Sequence, residues 1–394
     1  MSVKSALVYG SGVSGLIAAY YLNKGGYAVS VVDPYMEPKI KTLKTPEGLV
    51  ERAANSILHN EAVRDLLEDI GLEYEMYSDL GKKKFVFLNS KAKRWPLSFM
   101  ETLKSIGPLF SLAKKKEHMK PLLNETIGEW GLRTLGSAAL ENLMIPGLQG
   151  VYGGNTKELS ANLVLKNIFS KDKKRALGSV SFKNGMQEFC DHLKKTLINR
   201  SVVFLKETEG EFDVTVVSSP AHSLPSCVNK ETRELLSKVS YKKVSTVTIF
   251  VEEKDRMPFK GFGCVFKNQK EGVLGLILNS DIFDNRASKG LVSETWIFDG
   301  ELVNTEEDAL SRLSLFRKEK FLRENKIVKS HFKYWEKAFP AYDKKLEDAL
   351  SKIDNEDSLY FFANWTGGLG IGTMIQAGEA FVEKIKKNEE GQNA

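Results

Sequence analysis

Side chains able to do bond chemistry directly are few and scattered in this chain. The five histidines, His59, His118, His192, His222 and His331, stand alone, and none forms HExxH or another metal-ligating spacing. Cys190, Cys227 and Cys264 make no CxxC pair. Neither a GxSxG elbow nor a P-loop is present. The chain does carry a glycine turn of defined spacing, Gly10-Ser11-Gly12-Val13-Ser14-Gly15, with an acid, Asp33, downstream. Residues of this kind grip a cofactor and leave the bond chemistry to it. No catalytic side chain and no metal site are assigned.

The elements that must position these residues are legible around them. Ala6-Leu7-Val8-Tyr9 is a short apolar run before the turn, and Leu16, Ala18, Ala19 and Leu22 mark a small-residue helix after it. That helix stops at Gly25-Gly26, and Val29-Ser30-Val31-Val32 leads into Asp33. Strand, glycine turn, helix, strand and acid predict a βαβ unit that holds a dinucleotide. Gly10 allows the sharp turn, Gly12 the approach of a pyrophosphate, and Gly15 close packing of helix on strand. The free amides of the first helical turn favour phosphate, and the Asp33 carboxylate can accept from ribose hydroxyls. Pro34-Tyr35 follow Asp33, so no arginine meets a 2′-phosphate, and FAD or NAD is expected rather than NADP. A crossover without a ligand is the plainer alternative.

The chain of 394 residues has room for two or three domains, with 42% hydrophobic and 27% charged residues. Three well-separated cysteines suit a reducing, cytoplasmic setting. Met-Ser-Val-Lys runs straight into the first strand, so no signal peptide is expected. No apolar run is long enough to span a bilayer. The net charge is +6, yet residues 91–175 hold 15 Lys/Arg against 7 Asp/Glu, more than the whole excess. Nothing in the sequence resembles a nucleic-acid module, so no nucleic-acid partner is expected, and such a patch suits an anionic membrane, an anionic substrate or simply a solvated face.

Further along, helical spacing is expected over 60–70, a strand over 85–88, and a mainly helical stretch over 97–177. Within it, 98–116 pairs an apolar stripe with a lysine cluster, a pattern open to core packing or to a membrane surface. A helix is expected over 181–193 and a short strand over 213–217. Residues 244–298 are strand-rich, helices follow over 306–320 and 343–353, and 388–394 reads as a frayed tail. The chain ends as it begins: Leu359-Tyr360-Phe361-Phe362-Ala363 is a strand, Gly367-Gly368-Leu369-Gly370-Ile371-Gly372 a glycine turn, and 373–387 a helix. A second helix end near an isoalloxazine ring would stabilise its anionic reduced form, which favours FAD.

On these motifs the chain resembles the protoporphyrinogen/coproporphyrinogen oxidase family of the flavin amine-oxidase-like superfamily. The stretches that carry the resemblance keep the family's order over nearly the whole chain. They are Gly10 to Gly15; Asn124-Glu125-Thr126-Ile127 with Arg133 and Gly136; and Ile145-Pro146-Gly147-Leu148-Gln149-Gly150-Val151-Tyr152-Gly153-Gly154 with Leu159-Ser160. Gly178-Ser179, 182–186, 335–342 and 363–378 complete them. Gly-Val-Tyr-x-Gly followed by Leu-Ser discriminates best within the superfamily.

The resemblance implies an α/β architecture. A Rossmann-type, p-hydroxybenzoate-hydroxylase-like FAD-binding domain would take 1–60, 178–222 and 355–394. A mixed-sheet substrate domain would take 61–96 and 223–354, and a helical, membrane-associating domain 97–177. It implies oxidation of protoporphyrinogen IX or coproporphyrinogen III by successive hydride transfers to FAD, with dioxygen as acceptor and hydrogen peroxide as product. The chain would be cytoplasmic, with peripheral contact to the inner face of a membrane. Cofactor contacts carry over to Gly10, Gly12, Val13, Ser14, Gly15, Asp33, Lys39, Ala54, Asn55, Leu369, Gly370 and Ile371. Lys84 carries over as the basic residue that holds a substrate propionate. The family's glycine pair after the acid is replaced here by Glu37-Pro38, and a usual glycine by Ala363; both departures bear on cofactor affinity. A related flavin amine oxidase or desaturase, or a non-catalytic binding protein on the same fold, are the alternatives.

Overall fold

The first residues form the unit that their spacing predicts. Strand β1 (Ser5–Tyr9) buries Ala6 and Val8 fully; helix α1 (Val13–Lys24) follows the glycine turn, and β2 (Ala28–Val32) pairs parallel to β1. Helix α1 is buried from Ser14 to Leu22, so it is enclosed in the core rather than laid upon it. The structure is a computed structural model that describes residues 3–34, 39–88, 91–95, 119–169, 177–208, 210–266, 270–323, 326–353, 358–366 and 368–392. The expectations for 98–116, Glu37-Pro38 and Gly367 lie outside the described residues.

Further strands are β3 (Thr42–Thr45), β4 (Gly48–Glu51), β5 (Ile57–His59), β6 (Glu75–Met76), β7 (Lys84–Leu88), β8 (Lys91–Trp95), β9 (Gly178–Ser181), β10 (Val203–Leu205) and β11 (Val214–Val217). They continue with β12 (Tyr241–Glu252), β13 (Gly263–Phe266), β14 (Val273–Ile277), β15 (Leu291–Asp299), β16 (Ile327–Pro340) and β17 (Leu359–Phe361). Strands from both ends of the chain build a five-stranded parallel sheet in the order β10-β2-β1-β11-β17. A seven-stranded mixed sheet has the order β16-β12-β15-β14-β13-β7-β8, while β3–β4 and β5-β9-β6 form two small sheets. This is the Rossmann-type sheet plus mixed sheet expected from the sequence.

Helices cover both. Asn60 caps α2 (Glu61–Asp69), its side chain accepting from the Val63 N–H at 3.0 Å. Thr126 and Glu129 form a reciprocal capping box at α3 (Ile127–Thr134), and α4 (Ile145–Tyr152) and α5 (Ala161–Phe169) pack with it in one apolar cluster. Helix α6 (Gln187–Asn199) backs the parallel sheet, α7 (Glu306–Phe321) the mixed sheet, and α8 (Ile371–Gln392) lies against α1. A Cβ on Gly378 would stand 2.1 Å from the Tyr21 ring, so the two helices meet backbone to side chain.

Several expectations are corrected. The helix expected from Ser181 starts at Gln187, because Ser181 ends strand β9 and pairs with Glu75. The tail expected to fray from Asn388 is helical to Gln392, where Glu389 takes Lys4 at 3.0 Å and the Tyr27 hydroxyl at 2.8 Å. Strand β16 was not expected. Its Lys329, His331, Lys333 and Lys337 interrupt the apolar pattern of a mostly half-buried edge strand.

Under α7 the mixed sheet encloses an ion pair. Phe266 stacks on Trp296 at 5.9 Å, and Phe316 meets Phe266 edge-on at 5.0 Å. Beside them the fully buried Arg317 donates to Glu294 at 2.6 Å. Glu294 also accepts from the Met257 N–H at 3.0 Å and the Trp296 indole at 3.1 Å. Removing the cation leaves a buried carboxylate without its charge partner. Arg317→Leu is therefore expected to cost about 3–5 kcal/mol in denaturant unfolding followed by tryptophan fluorescence; a loss below about 1 kcal/mol would mean that the pair does not hold this core.

Candidate functional site

The glycine turn sits at the carboxyl end of β1, where open α/β sheets bind ligands. Gly10 has φ +109° and donates its N–H to the Val32 carbonyl at 2.7 Å. A Cβ on Gly15 would lie 1.8 Å from the Gly10 carbonyl oxygen, which fixes glycine there by packing. Gly12 differs: a Cβ on it would meet nothing within 4 Å. It is also the residue before α1, and no side chain caps that helix end. The first amides of α1 therefore look onto open space that an anion can fill. Asp33 is held beside the turn, its Oδ2 accepting from the Ser11 N–H at 2.8 Å and the Ser11 hydroxyl at 2.9 Å.

The second glycine turn closes on the first. Ile371 begins α8, and the Gly370 carbonyl accepts from the Thr373 and Met374 N–H groups, both at 3.0 Å. Ser14 donates its hydroxyl to the Met374 sulfur at 3.2 Å, joining the starts of α1 and α8, and Val13 packs against the core beside it. Ala54 and Asn55 lie between β4 and β5; Ala54 packs on the parallel-sheet core, and Leu369 on the cluster that holds α4. Trp365 donates its indole N–H to the Ser219 carbonyl at 3.0 Å, tying the C-terminal segment to the end of β11. Ser218 and Ser219 have buried hydroxyls with no partner, and Ser218 lines the turn, 3.3 Å from where a Gly10 Cβ would be. The sequence analysis assigns these serines no role; they follow the strand expected over 213–217, and only the fold brings Ser218 to the glycine turn.

The residues thus fit a dinucleotide: an open helix start, an unfilled space at Gly12, an acid held beside the turn and two buried hydroxyls without a partner. Gly10, Gly12, Val13, Ser14, Gly15, Asp33, Leu369, Gly370 and Ile371 come together here. Lys39 lies at the same edge, where its Nζ donates to the Lys337 carbonyl at 3.2 Å, and burial followed by Lys337 holds its ammonium below its ordinary value. Burial pushes the neighbouring Glu51 up to about 7, although Met186 and Thr42 donate to it.

Lys84 lies elsewhere, at the start of β7 in the mixed sheet. It is exposed, its Nζ 5.4 Å from the Phe262 ring centre, and it stands opposite Trp95 in the pairing with β8. Helix α4 crosses this sheet on its glycine side. A Cβ on Gly147 would lie 3.8 Å from Trp95, one on Gly150 3.2 Å from Val265, and one on Gly153 3.4 Å from Phe339. Gln149 anchors the crossing by donating to the Phe266 carbonyl at 2.8 Å. The motif that discriminates best in sequence is therefore the helix between the β7–β8 edge and the second glycine turn.

No family model matches the chain. It is similar to protoporphyrinogen oxidase 2, chloroplastic/mitochondrial, of Arabidopsis thaliana, with 25% identity across 96% of this chain and 93% of that protein. The mitochondrial protoporphyrinogen oxidase of Nicotiana tabacum is also 25% identical, across 96% and 94%. A coproporphyrinogen III oxidase of Bacillus subtilis is 26% identical over 43% of this chain and 41% of its own length. Among solved structures, cyclohexylamine oxidase from Brevibacterium oxydans has a TM-score of 0.68 at 13% identity, covering 98% of this chain and 100% of its own. Reduced UDP-galactopyranose mutase has a TM-score of 0.72 at 13% identity, covering 98% and 94%; these likenesses show the fold. The resemblance to the protoporphyrinogen oxidase family is borne out, as are an oxidoreductase class and FAD as cofactor.

The two glycines separate a binding effect from a folding one. Gly12→Val is expected to fold normally and purify without flavin, read as the ratio of visible to ultraviolet absorbance. Gly15→Ala is expected to fail in folding, since its methyl has no room. Wild-type flavin content in Gly12→Val would remove the cradle from the cofactor site.

Proposed function

We propose that this chain oxidises a porphyrinogen to the porphyrin in haem biosynthesis, with FAD as the immediate hydride acceptor and dioxygen as the final one, giving hydrogen peroxide. One observation carries the reading: two protoporphyrinogen oxidases align with 96% of the chain at 25% identity. Coproporphyrinogen III oxidases align with 43% and 54% of it, which favours protoporphyrinogen IX as substrate.

Bound FAD would supply the hydride acceptor, and the chain's residues would bind and orient. Gly12 and the amides of α1 would take the pyrophosphate, Asp33 the ribose, and Leu369, Gly370 and Ile371 the flavin end, where the start of α8 favours negative charge. Ala54 and Asn55 would line the same cofactor. The macrocycle would lie along α4, with its carboxylates toward Lys84. Residues 1–60, 178–222 and 355–394 would form the cofactor domain, 61–96 and 223–354 the substrate domain, and 97–177 the helical one. Peripheral membrane contact through 97–177 is part of this proposal. No helix among the described residues is long and apolar enough to cross a membrane.

The decisive experiment is the visible spectrum of the purified protein before and after anaerobic addition of protoporphyrinogen IX. Flavin bleaching together with the rise of porphyrin fluorescence is expected. A flavin band that stays unchanged would overturn the substrate, and absence of flavin after FAD is supplied would overturn the enzyme reading. In the active protein Lys84→Glu should raise KM about tenfold with FAD content unaltered; unchanged kinetics would remove Lys84 from the site.

A further inference from the structure

Strands β2 and β11 flank β1 in the parallel sheet, and the chain leaving each of them carries a base to the edge where Gly10 and Gly12 lie. Lys39 comes after β2, and His222 after β11. The segment with His222 departs from against the glycine turn, since the Ser218 carbonyl carbon would lie 3.3 Å from a Gly10 Cβ. It is then fixed. The Ala221 N–H donates to the Tyr241 hydroxyl at 2.9 Å, and the His222 ring meets Tyr241 edge-on at 4.6 Å.

A third base arrives from the other sheet. Strand β16 is docked on this edge by three bonds. Arg52 donates to the Phe332 carbonyl at 2.8 Å, the Trp335 indole to the Arg52 carbonyl at 3.0 Å, and Lys39 to the Lys337 carbonyl at 3.2 Å. The backbone of Lys337 is thereby seated on Lys39. The three bases lie in each other's field: burial, then Lys337, then Lys39 hold His222 below its ordinary value, and burial and Lys337 do the same to Lys39. Like charges brought together beside an open helix start and two unpartnered hydroxyls call for a doubly charged anion.

We infer that Lys39, Lys337 and His222 form a cationic clamp across the pyrophosphate of the bound dinucleotide, with Lys337 reaching over from the mixed sheet. The inference rests on the FAD reading above and assigns Lys337 and His222 to the cofactor. Pyrophosphate in the clamp moves His222 back toward its ordinary value, so binding takes up a proton. FAD should therefore bind more tightly as pH falls from 8 to 6.

The test is titration of the FAD-stripped full chain with FAD, followed by quenching of flavin fluorescence, at 50 and 500 mM NaCl. Lys337→Gln is expected to raise the FAD Kd about tenfold at the lower salt, with the gap closing at the higher one. Lys337→Arg should restore binding, riboflavin (which has no phosphate) should bind both proteins alike, and His222→Gln should abolish the tightening between pH 8 and 6. Wild-type Kd and salt dependence in Lys337→Gln would overturn the clamp while leaving the cofactor. An equal loss at both salts, or an equal loss for riboflavin, would overturn it as a packing effect. Failure of the wild-type chain to bind FAD at all would remove the FAD reading itself, and the clamp with it.

Discussion

The cofactor side of this protein depends on how closely α1 approaches the turn that precedes it. The missing side chain at Gly15 lets the helix backbone touch Gly10, and that contact points the first amides of α1 along the end of β1. With no capping side chain at Gly12, those donors are left to an anion. The burial of α1 from Ser14 to Leu22 holds the arrangement rigid, and α8 packs over it through the close meeting of Gly378 and Tyr21. Asp33, Ser14 and the second glycine turn are all positioned relative to this helix end.

The second organising feature is the docking of the mixed sheet on this edge. Strand β16 bonds through backbone carbonyls and an indole to Lys39 and Arg52, and Tyr342 just beyond it donates to the Asn364 carbonyl. Helix α4 lies over the mixed sheet, from Trp95 near its start to Phe339 just past its end.

Much of this was legible in the sequence because it is local. The first glycine turn, its flanking strands and Asp33 occupy one continuous stretch, and each residue's role follows from its neighbours. The second turn was equally plain. Features made by distant residues were not. Strand β16 mixes lysine with aromatic residues, and its pairing with β12 becomes evident only when both are in place. Ser181 lies beside a helical pattern, yet its partners are in β6. Residues 388–392 have the composition of a tail, and Lys4 and Tyr27 make them a helix end. Lys84 was singled out by the family resemblance alone; its cross-strand neighbour Trp95 and the ring of Phe262 lay beyond any local reading.

The parallel sheet has one more consequence, for the order in which the molecule can be made. Its neighbours are far apart in the chain: β1 pairs with β11, and β11 with β17. Synthesis produces the first glycine turn well before α8. Until α8 emerges, the faces of α1 that meet Gly378 and Met374 lack that cover. Such long-range closure slows folding and leaves apolar surface exposed for longer on the nascent chain. The cradle is therefore among the first parts translated and the last completed. Growing chains of this protein would need shelter, by a chaperone or by their own mixed sheet, before the nucleotide could help to hold them together.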